Sequence, residues 1–226
     1  AKLATGEVVA VKIQRPGVKE VMAQDISIIR RLAKQARYFM VGEQLLDFEE
    51  VVEELWPTFL EETDFVNEAN NLEEFARRNE KVKYISCPKV YKELSTEYVL
   101  VMEYVEGIPI GDIPALKKAG YDLKEIGEKI LDNYASQIID QGFFHADPHA
   151  GNIIIREGKI VYIDLGIMGR LSARDRIGFG AIVKAVGLGD SSTLKDALLA
   201  FAIQKDNSVI DHSRFLADLD LLLAEY

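Results

Sequence analysis

The sequence has a single cysteine, a minority of basic residues and no long apolar run. Cys87 has no partner for an internal disulfide, which agrees with a reducing compartment, and we expect it to pack as a small apolar residue. No stretch reaches the roughly 18 apolar residues that a membrane span requires, and no signal peptide opens the chain. The 27 basic residues are outnumbered by 37 acidic ones, so the net charge is −10. This balance disfavours a broad nucleic-acid surface, although a nucleotide needs only a local positive group.

The length and composition are those of an ordered protein. With 226 residues, of which 48% are hydrophobic and 9% aromatic, the chain can bury one large core or two moderate lobes. It contains no internal repeat and no low-complexity segment. The chain starts without a methionine and almost inside a strand, and we therefore expect it to be part of a longer protein.

A predicted β-hairpin carries the residues with the most specific chemistry. Apolar strands at Ile153–Ile155 and Ile160–Ile163 flank a short polar turn. Asp147 and Asn152 occupy the loop that enters the first strand, and Asp164 lies where the second strand ends. We therefore expect these three side chains to converge on one edge of the hairpin.

These three residue types suit phosphoryl transfer. Protein kinases use an Asp to orient the substrate hydroxyl, an Asn five residues later to hold magnesium, and a second Asp before a glycine to bridge the phosphates through the metal. Asp147 and Asn152 have that spacing, and magnesium accepts one carboxylate and one amide while keeping several waters. The alternative is that the three residues merely cap turns or end a strand. Each residue alone favours this alternative, whereas the ordered set favours a catalytic site.

A second set of candidates lies on a β-branched strand predicted at residues 7–14. Period two places Val8, Ala10 and Lys12 on one face of this strand. In kinases a face of small residues lies against adenine and the lysine two positions later reaches the phosphates, which assigns these roles to Ala10 and Lys12. The alternative is a surface lysine whose stem covers a half-buried strand.

An acidic helix predicted within residues 61–80 supplies a partner for Lys12. Glu68 stands one residue from the inward stripe of this helix, and the kinase arrangement requires a helical Glu that pairs with the strand lysine. Asp64 is well placed as an N-cap, and Glu62 as a favourable charge near the helix N-terminus. The residues expected to face inward are Phe65, Ala69, Leu72, Phe75 and Ala76.

An apolar strand that runs into Met102–Gly107 resembles the hinge of a kinase. At a hinge the main chain binds adenine, so Glu103 and Val105 are candidates for base binding through their backbone groups. An ordinary strand exit is the alternative, and side chains do not separate the two. The other elements predicted from periodicity are strands at residues 88–94 and 97–105 and helices at 18–40, 122–142, 172–188, 191–204 and 211–225.

Five motifs stand out along the chain. They read Val-Ala-Val-Lys-Ile-Gln-Arg-Pro-Gly from residue 9, Glu-Thr-Asp from 62, Glu-Ala-Asn from 68, His-Ala-Asp-Pro-His-Ala-Gly-Asn from 145 and Ile-Asp-Leu-Gly from 163. Together they resemble the UbiB family of atypical kinases, also called AarF-domain kinases, over about residues 5–190. The Asp-Pro-His and Asp-Leu-Gly spellings separate this family from ordinary protein kinases, which use a Phe in the metal motif.

The resemblance implies an α+β, bilobal protein-kinase-like fold. Residues 1–105 would form an antiparallel-sheet N-lobe with a helical insertion at about residues 18–60, and residues 106–226 a mainly helical C-lobe that carries the catalytic and metal-binding loops. The family's Lys-x-Gly-Gln extension and Ala-rich loop would precede Ala1.

By motif, the resemblance also implies a role for each candidate residue. Lys12 would be the nucleotide lysine, Glu68 its partner and Asp147 the catalytic residue, while Asn152 and Asp164 would bind the metal. Glu62 and Asp64 would form the family's Glu-x-Asp element at the active site, an interpretation that competes with capping. The implied nucleotide contacts are Ala10, Lys12, Glu103, Val105, Glu62 and Asp64.

The function implied by the resemblance is binding of ATP or ADP with Mg²⁺, with ATPase or phosphotransfer chemistry that supports the biosynthesis of ubiquinone or another isoprenoid quinone. The resemblance further implies a cytoplasmic protein, with a lipid or quinone-precursor ligand and peripheral membrane contact in the full-length protein. Two alternatives stay open: a small-molecule phosphotransferase of the aminoglycoside or choline kinase type, and a nucleotide-gated scaffold without catalysis. The Glu-Thr-Asp motif and its helical insertion argue against the first, and the complete motif set argues against a dead site.

Overall fold

The computed structural model describes residues 1–39, 63–201 and 211–224, together with Trp56 and Leu60. The chain divides into two compact units. The first unit comprises Ala1–Lys129 and Ala146–Met168, and the second comprises Ile130–His145 and Gly169–Tyr226. Strands and helices are both present, which confirms the α+β prediction. The lobe boundary between residues 105 and 106 stays a prediction, and most of the predicted insertion beyond residue 39 lies outside the described residues.

Eight strands and seven α-helices occur in the described part of the chain. The strands are β1 (Val9–Ile13), β2 (Ile85–Ser86), β3 (Val99–Glu103), β4 (Ile108–Pro109), β5 (Phe143–His145), β6 (Ile153–Arg156), β7 (Lys159–Tyr162) and β8 (Met168–Arg170). The α-helices are α1 (Val18–Phe39), α2 (Phe65–Arg78), α3 (Ile113–Lys118), α4 (Leu123–Ser136), α5 (Ala173–Leu188), α6 (Ser191–Phe201) and α7 (His212–Ala224).

The first unit contains two sheets. β1 pairs antiparallel with β3, with Lys12 opposite Leu100. β6 and β7 form the predicted hairpin, with Ile153 opposite Tyr162. β2 runs parallel to β7 and β4 antiparallel to β6, so the strand order is β2-β7-β6-β4. Alternate residues of β6 are buried, as the period of two requires for a strand with one covered face.

Helix α2 begins at the N-cap predicted from the sequence. The Asp64 carboxylate accepts a backbone N–H two residues later at 2.9 Å, which satisfies one of the free donors of the first turn. Ala76 was predicted to face inward and is exposed. At about 100° per residue Ala76 lies between Leu72 and Ala69 on the helical wheel, so helical periodicity does not account for its exposure. The buried apolar residues of this helix are Ala69, Leu72 and Phe75.

The strand predicted at residues 88–94 is wrong. Within the described residues, Val90 forms an isolated bridge to β3, and Lys92–Leu94 form a 3₁₀ turn. The Ser95 hydroxyl donates to the Tyr91 carbonyl at 2.8 Å and accepts a backbone N–H from β3 at 3.0 Å. Serine side chains compete with the backbone in this way, and here the competition ends the ladder.

The helices of the second unit follow the sequence closely. The predictions at residues 172–188, 191–204 and 211–225 are confirmed as α5, α6 and α7 within the described residues. The helix predicted at 122–142 is α4, which continues as a π-helix over Gln137–Gln141. No described helix combines the length and apolarity needed to span a membrane. A buried cluster of Ala185, Leu194 and Leu219 joins the last three helices.

Candidate functional site

Lys12 and two acidic residues meet at the centre of the first unit. Lys12 lies on β1, Glu68 on α2, and Asp164 two residues after the end of β7. The Lys12 Nζ atom is 2.6 Å from Glu68 Oε1 and 2.9 Å from Asp164 Oδ2. The Glu68 side chain is 4% exposed, whereas Lys12 is 30% and Asp164 is 38% exposed. The contact predicted between Lys12 and Glu68 is therefore present, and it extends to a carboxylate that solvent can reach.

The two carboxylates hold a proton on Lys12. Burial alone would lower the pKa of Lys12, but the charges and hydrogen bonds of Glu68 and Asp164 outweigh it and raise this pKa above its ordinary value. Burial raises the pKa of Glu68, against the opposing effect of the Lys12 ammonium. The lysine is thus a firmly charged group at neutral pH, as a phosphate-binding residue needs to be.

Helix α2 also holds the turn that follows Asp164. Asn71 Nδ2 donates to the Leu165 carbonyl at 3.0 Å. Asp164 Oδ1 in turn accepts the Gly166 N–H at 3.1 Å. Asn71 is not among the residues predicted from the sequence. The one signal for Asn71 in the sequence is that this polar residue stands three positions after Glu68 and next to Leu72, which is buried.

Asn152 is anchored so that its amide oxygen stays available. The Asn152 N–H donates to the His149 carbonyl at 3.0 Å, and its Nδ2 donates to the Asp147 carbonyl at 3.4 Å. The Ile163 N–H donates to the Asn152 carbonyl at 2.9 Å. The hairpin therefore places Asn152 beside the residue that precedes Asp164, and none of these contacts uses the Asn152 Oδ1 atom.

Asp147 lies in the same loop and points a half-exposed carboxylate away from the core. Its Oδ2 atom is 3.6 Å from His149 Nε2. The other ring nitrogen, Nδ1, accepts the Gly151 N–H at 3.1 Å. A neutral His149 must therefore carry its proton on Nε2, the atom that faces Asp147. His149 is not among the site residues predicted from the sequence.

A cavity of about 330 Å³ lies next to these groups. Ala10, Glu103 and Val105 line it, as do Gly107 and Ile163. Val105 is 8% exposed, and within the described residues its backbone N–H and C=O have no hydrogen-bond partner. Buried backbone groups are nearly always paired in native proteins. The cavity thus offers an unused donor and acceptor to a planar ligand.

The Glu103 side chain is occupied by other contacts. Glu103 Oε1 is 2.5 Å from Arg156 Nη1, and Oε2 accepts the Lys89 N–H at 3.2 Å. The carboxylate is therefore held by β6 and by the segment before β3. The Glu103 N–H donates to the Lys89 carbonyl at 2.8 Å, so the main-chain contact predicted from the hinge pattern would have to use the Glu103 carbonyl.

The Glu-Thr-Asp segment divides between the described and undescribed parts of the chain. Asp64 caps α2 and is absent from the described lining of the cavity. Thr63 is buried, and its carbonyl accepts Gln14 Nε2 at 2.6 Å, which ties this segment to the end of β1. Glu62 lies outside the described residues, so its role stays a prediction.

Comparison with known proteins identifies what the chain is similar to. The family model for the ABC1 atypical kinase-like domain matches residues 1–198. A Clostridium pasteurianum protein named for its position in the hydrogenase 1 5′ region is 38% identical over 222 residues, which cover 96% of this chain and 42% of that protein. The Arabidopsis thaliana protein Activity of BC1 Complex Kinase 8, chloroplastic, is 36% identical over 178 residues, which cover 76% of this chain and 23% of that protein. The chain thus spans less than half the length of these relatives.

A solved structure supports the fold. A Mycobacterium tuberculosis protein determined in complex with erythromycin matches with a TM-score of 0.65 and 21% identity, over 99% of this chain and 55% of that protein. At this identity the likeness concerns the fold alone. Together with the family model, it confirms the kinase-like α+β fold predicted from the motifs.

Proposed function

Because this chain belongs to the ABC1 atypical kinase-like family, as its UbiB-type motifs predicted, we propose that it binds ATP or ADP with Mg²⁺ and acts as an ATPase or phosphotransferase. The observation that supports this proposal most strongly is the meeting of Lys12 with Glu68 and Asp164. A half-buried strand lysine between a buried helical carboxylate and a partly exposed one has little structural purpose, since a pair of apolar residues would stabilise the same position as well.

The base of the nucleotide occupies the 330 Å³ cavity in this proposal. The N–H and C=O of Val105, which have no partner among the described residues, supply one donor and one acceptor, the pattern that the edge of adenine complements. Ala10 leaves room for the ring because its side chain is a single methyl group. The phosphates then lie toward Lys12, whose ammonium binds their oxygens in place of part of its contact with Asp164.

The residues present also fit a magnesium ion. Asp164 contributes a carboxylate and Asn152 an amide oxygen, which are hard ligands of the kind that Mg²⁺ prefers, and waters complete its coordination. When bound, the ion neutralises charge on the phosphates. Glu68 would keep Lys12 in place if Asp164 turned to the metal, because Glu68 is almost completely buried and its Oε1 atom is 2.6 Å from Lys12 Nζ.

Asp147 is the group that orients the attacking nucleophile in this proposal. Its carboxylate is half-exposed and lies in the loop that also carries Asn152. A water or an acceptor hydroxyl hydrogen-bonded to Asp147 would face the terminal phosphate, and the carboxylate would accept its proton. Water as nucleophile makes the protein an ATPase, and a hydroxyl makes it a phosphotransferase.

The proposal extends to a biological role only for the full-length protein. Family resemblance supports a function in ubiquinone or isoprenoid quinone biosynthesis, with a quinone precursor or lipid as ligand, at a membrane surface within the cytoplasm. Phosphate release measured with quinone precursors, choline and aminoglycosides would distinguish this role from that of a small-molecule kinase. If only choline or an aminoglycoside stimulated phosphate release, the protein would be a small-molecule kinase and the proposed role in quinone biosynthesis would be wrong.

Thermal melting with and without Mg-ATP or Mg-ADP tests the nucleotide site. At a ligand concentration 100-fold above Kd, binding stabilises the folded state by about 2.7 kcal/mol, which raises Tm by about 5–10 °C for a chain of this length. Asp164→Asn should abolish the magnesium-dependent part of the shift. Asp220→Asn, at an exposed position on α7, is the matched control and should retain it. Unchanged melting of the full-length protein at millimolar Mg-nucleotide would overturn the proposal.

A further inference from the structure

Leu165 is held by a side chain of helix α2. The Leu165 side chain is fully buried. Its carbonyl accepts a hydrogen bond from Asn71 Nδ2 at 3.0 Å. Glu68 and Asn71 are three positions apart on α2 and therefore share one face of the helix. The face of α2 that pairs with Lys12 thus also holds the carbonyl of the residue after Asp164.

The hydrogen bond from Asn71 acts on Asp164 through a single planar unit. The Leu165 carbonyl and the Gly166 N–H belong to the same trans peptide, so they point in opposite directions. Asn71 holds the carbonyl end, and the N–H end donates to Asp164 Oδ1 at 3.1 Å. Rotation of this peptide would break both hydrogen bonds together. The direction of the Asp164 carboxylate therefore depends on Asn71, although the two side chains do not touch in any contact described above.

We propose that Asn71 is a positioning residue of the metal site. Its amide fixes the Leu165–Gly166 peptide, whose N–H occupies one edge of the Asp164 carboxylate and leaves Oδ2 toward Lys12 and the incoming ion. This inference rests on the proposed function and assigns a residue to it that the motifs do not contain. Removing a group that orients a metal ligand commonly lowers metal affinity by about 10-fold or more.

A purely structural role for Asn71 predicts a different result. If the amide only stabilised the packing of α2, its loss would lower the stability of the whole unit and weaken nucleotide binding at every magnesium concentration. If the amide positions Asp164, its loss weakens the site for magnesium, and excess magnesium restores binding. The two roles are distinguished by the Mg²⁺ concentration at which the nucleotide-induced melting shift is half-maximal and by the size of that shift at saturating Mg²⁺.

The experiment measures the nucleotide-induced melting shift of the full-length protein at fixed ATP or ADP while Mg²⁺ is titrated. Asn71→Leu keeps the volume of the side chain and removes the donor, and Asn71→Ser serves as a second variant if the leucine does not fold. The matched control is Asn70→Leu, because Asn70 is exposed on the same helix. Circular dichroism confirms that each variant is folded.

We expect the Mg²⁺ midpoint of Asn71→Leu to rise by about 10-fold while the plateau matches that of the wild type. Asn70→Leu should leave both quantities unchanged. A midpoint within twofold of the wild type, or a plateau that saturating Mg²⁺ does not restore, would overturn the assignment. A wild-type protein without any Mg-nucleotide shift would instead overturn the proposed function, so the two failures are distinguishable.

Discussion

The Lys12–Glu68 pair should be the strongest energetic coupling among the ion pairs described above. Lys12→Met removes the ammonium and keeps an unbranched stem, which leaves the nearly buried Glu68 carboxylate without its partner. Breaking a buried pair costs about 3–5 kcal/mol, and we expect about 3 kcal/mol because Lys12 is partly exposed. Glu68→Gln leaves Lys12 bonded to Asp164 and should cost about 1 kcal/mol.

The double variant tests the coupling directly. Lys12→Met combined with Glu68→Gln removes the buried charge and keeps the volume of the Glu68 side chain. We expect this variant to lose only about 1.5 kcal/mol, which makes the coupling energy about 2.5 kcal/mol. Urea unfolding of the four proteins, without nucleotide or metal, measures each free energy of unfolding.

A surface pair with similar geometry provides the control. Lys92 Nζ is 2.7 Å from Glu73 Oε2, but these side chains are 48% and 50% exposed. The same cycle with Lys92→Met and Glu73→Gln should give less than about 1 kcal/mol. Equal coupling energies in the two cycles would refute the claim that burial strengthens the Lys12 pair.

The stability that Lys12 contributes to the folded state should decrease at high pH. The pKa of Lys12 is raised above its ordinary value of 10.5 by its two carboxylates, so the folded state binds this proton more tightly than the unfolded state. Stability from this group is therefore fully present below pH 10.5 and falls as pH rises through the folded-state pKa. Lys12→Met should lack that decline.

Two further predictions concern the lining of the cavity and the single thiol. A Cβ at Gly107 would lie 2.5 Å from Ile154 Cγ2 and 2.6 Å from the Ile155 carbonyl oxygen. Gly107→Ala should therefore cost about 1–3 kcal/mol of stability and reduce the nucleotide-induced melting shift. Gly127 has open space around it, so Gly127→Ala should do neither. Burial, aided by the charge of Glu103, raises the pKa of Cys87 to about 12, so iodoacetamide should modify the folded protein slowly at pH 8 and react rapidly only in urea; fast labelling of the folded protein would contradict this.

Much of the site was predictable because its parts are local. The distance from Asp147 to Asn152 is set by one loop, and the position of Asp164 is set by the length of one hairpin. Lys12 and Glu68 could be paired because a charged residue within an apolar strand or next to a buried helix stripe needs a partner. These patterns depend on periodicity and short spacing, which a sequence displays directly.

The remaining contacts depend on which segments meet in three dimensions. Asn71 binds a carbonyl 94 residues away, and a backbone acceptor has no signature in the sequence. The Ser95 hydroxyl ends a predicted strand because it finds two backbone partners at once, which β-propensity does not register. His149 presents a proton toward Asp147 only because its other nitrogen accepts the Gly151 N–H. Each of these contacts is a hydrogen bond to the main chain.

The contact between Lys12 and Asp164 joins residues that are 152 positions apart. A ribosome that adds about 5–20 residues per second separates their synthesis by about 8–30 s. During that interval the nascent polypeptide carries the Lys12 ammonium and the Glu68 carboxylate without the second carboxylate that the ammonium will contact. Premature termination before this aspartate therefore yields products that cannot assemble the centre, and protection of the early segment by chaperones would matter most in that window.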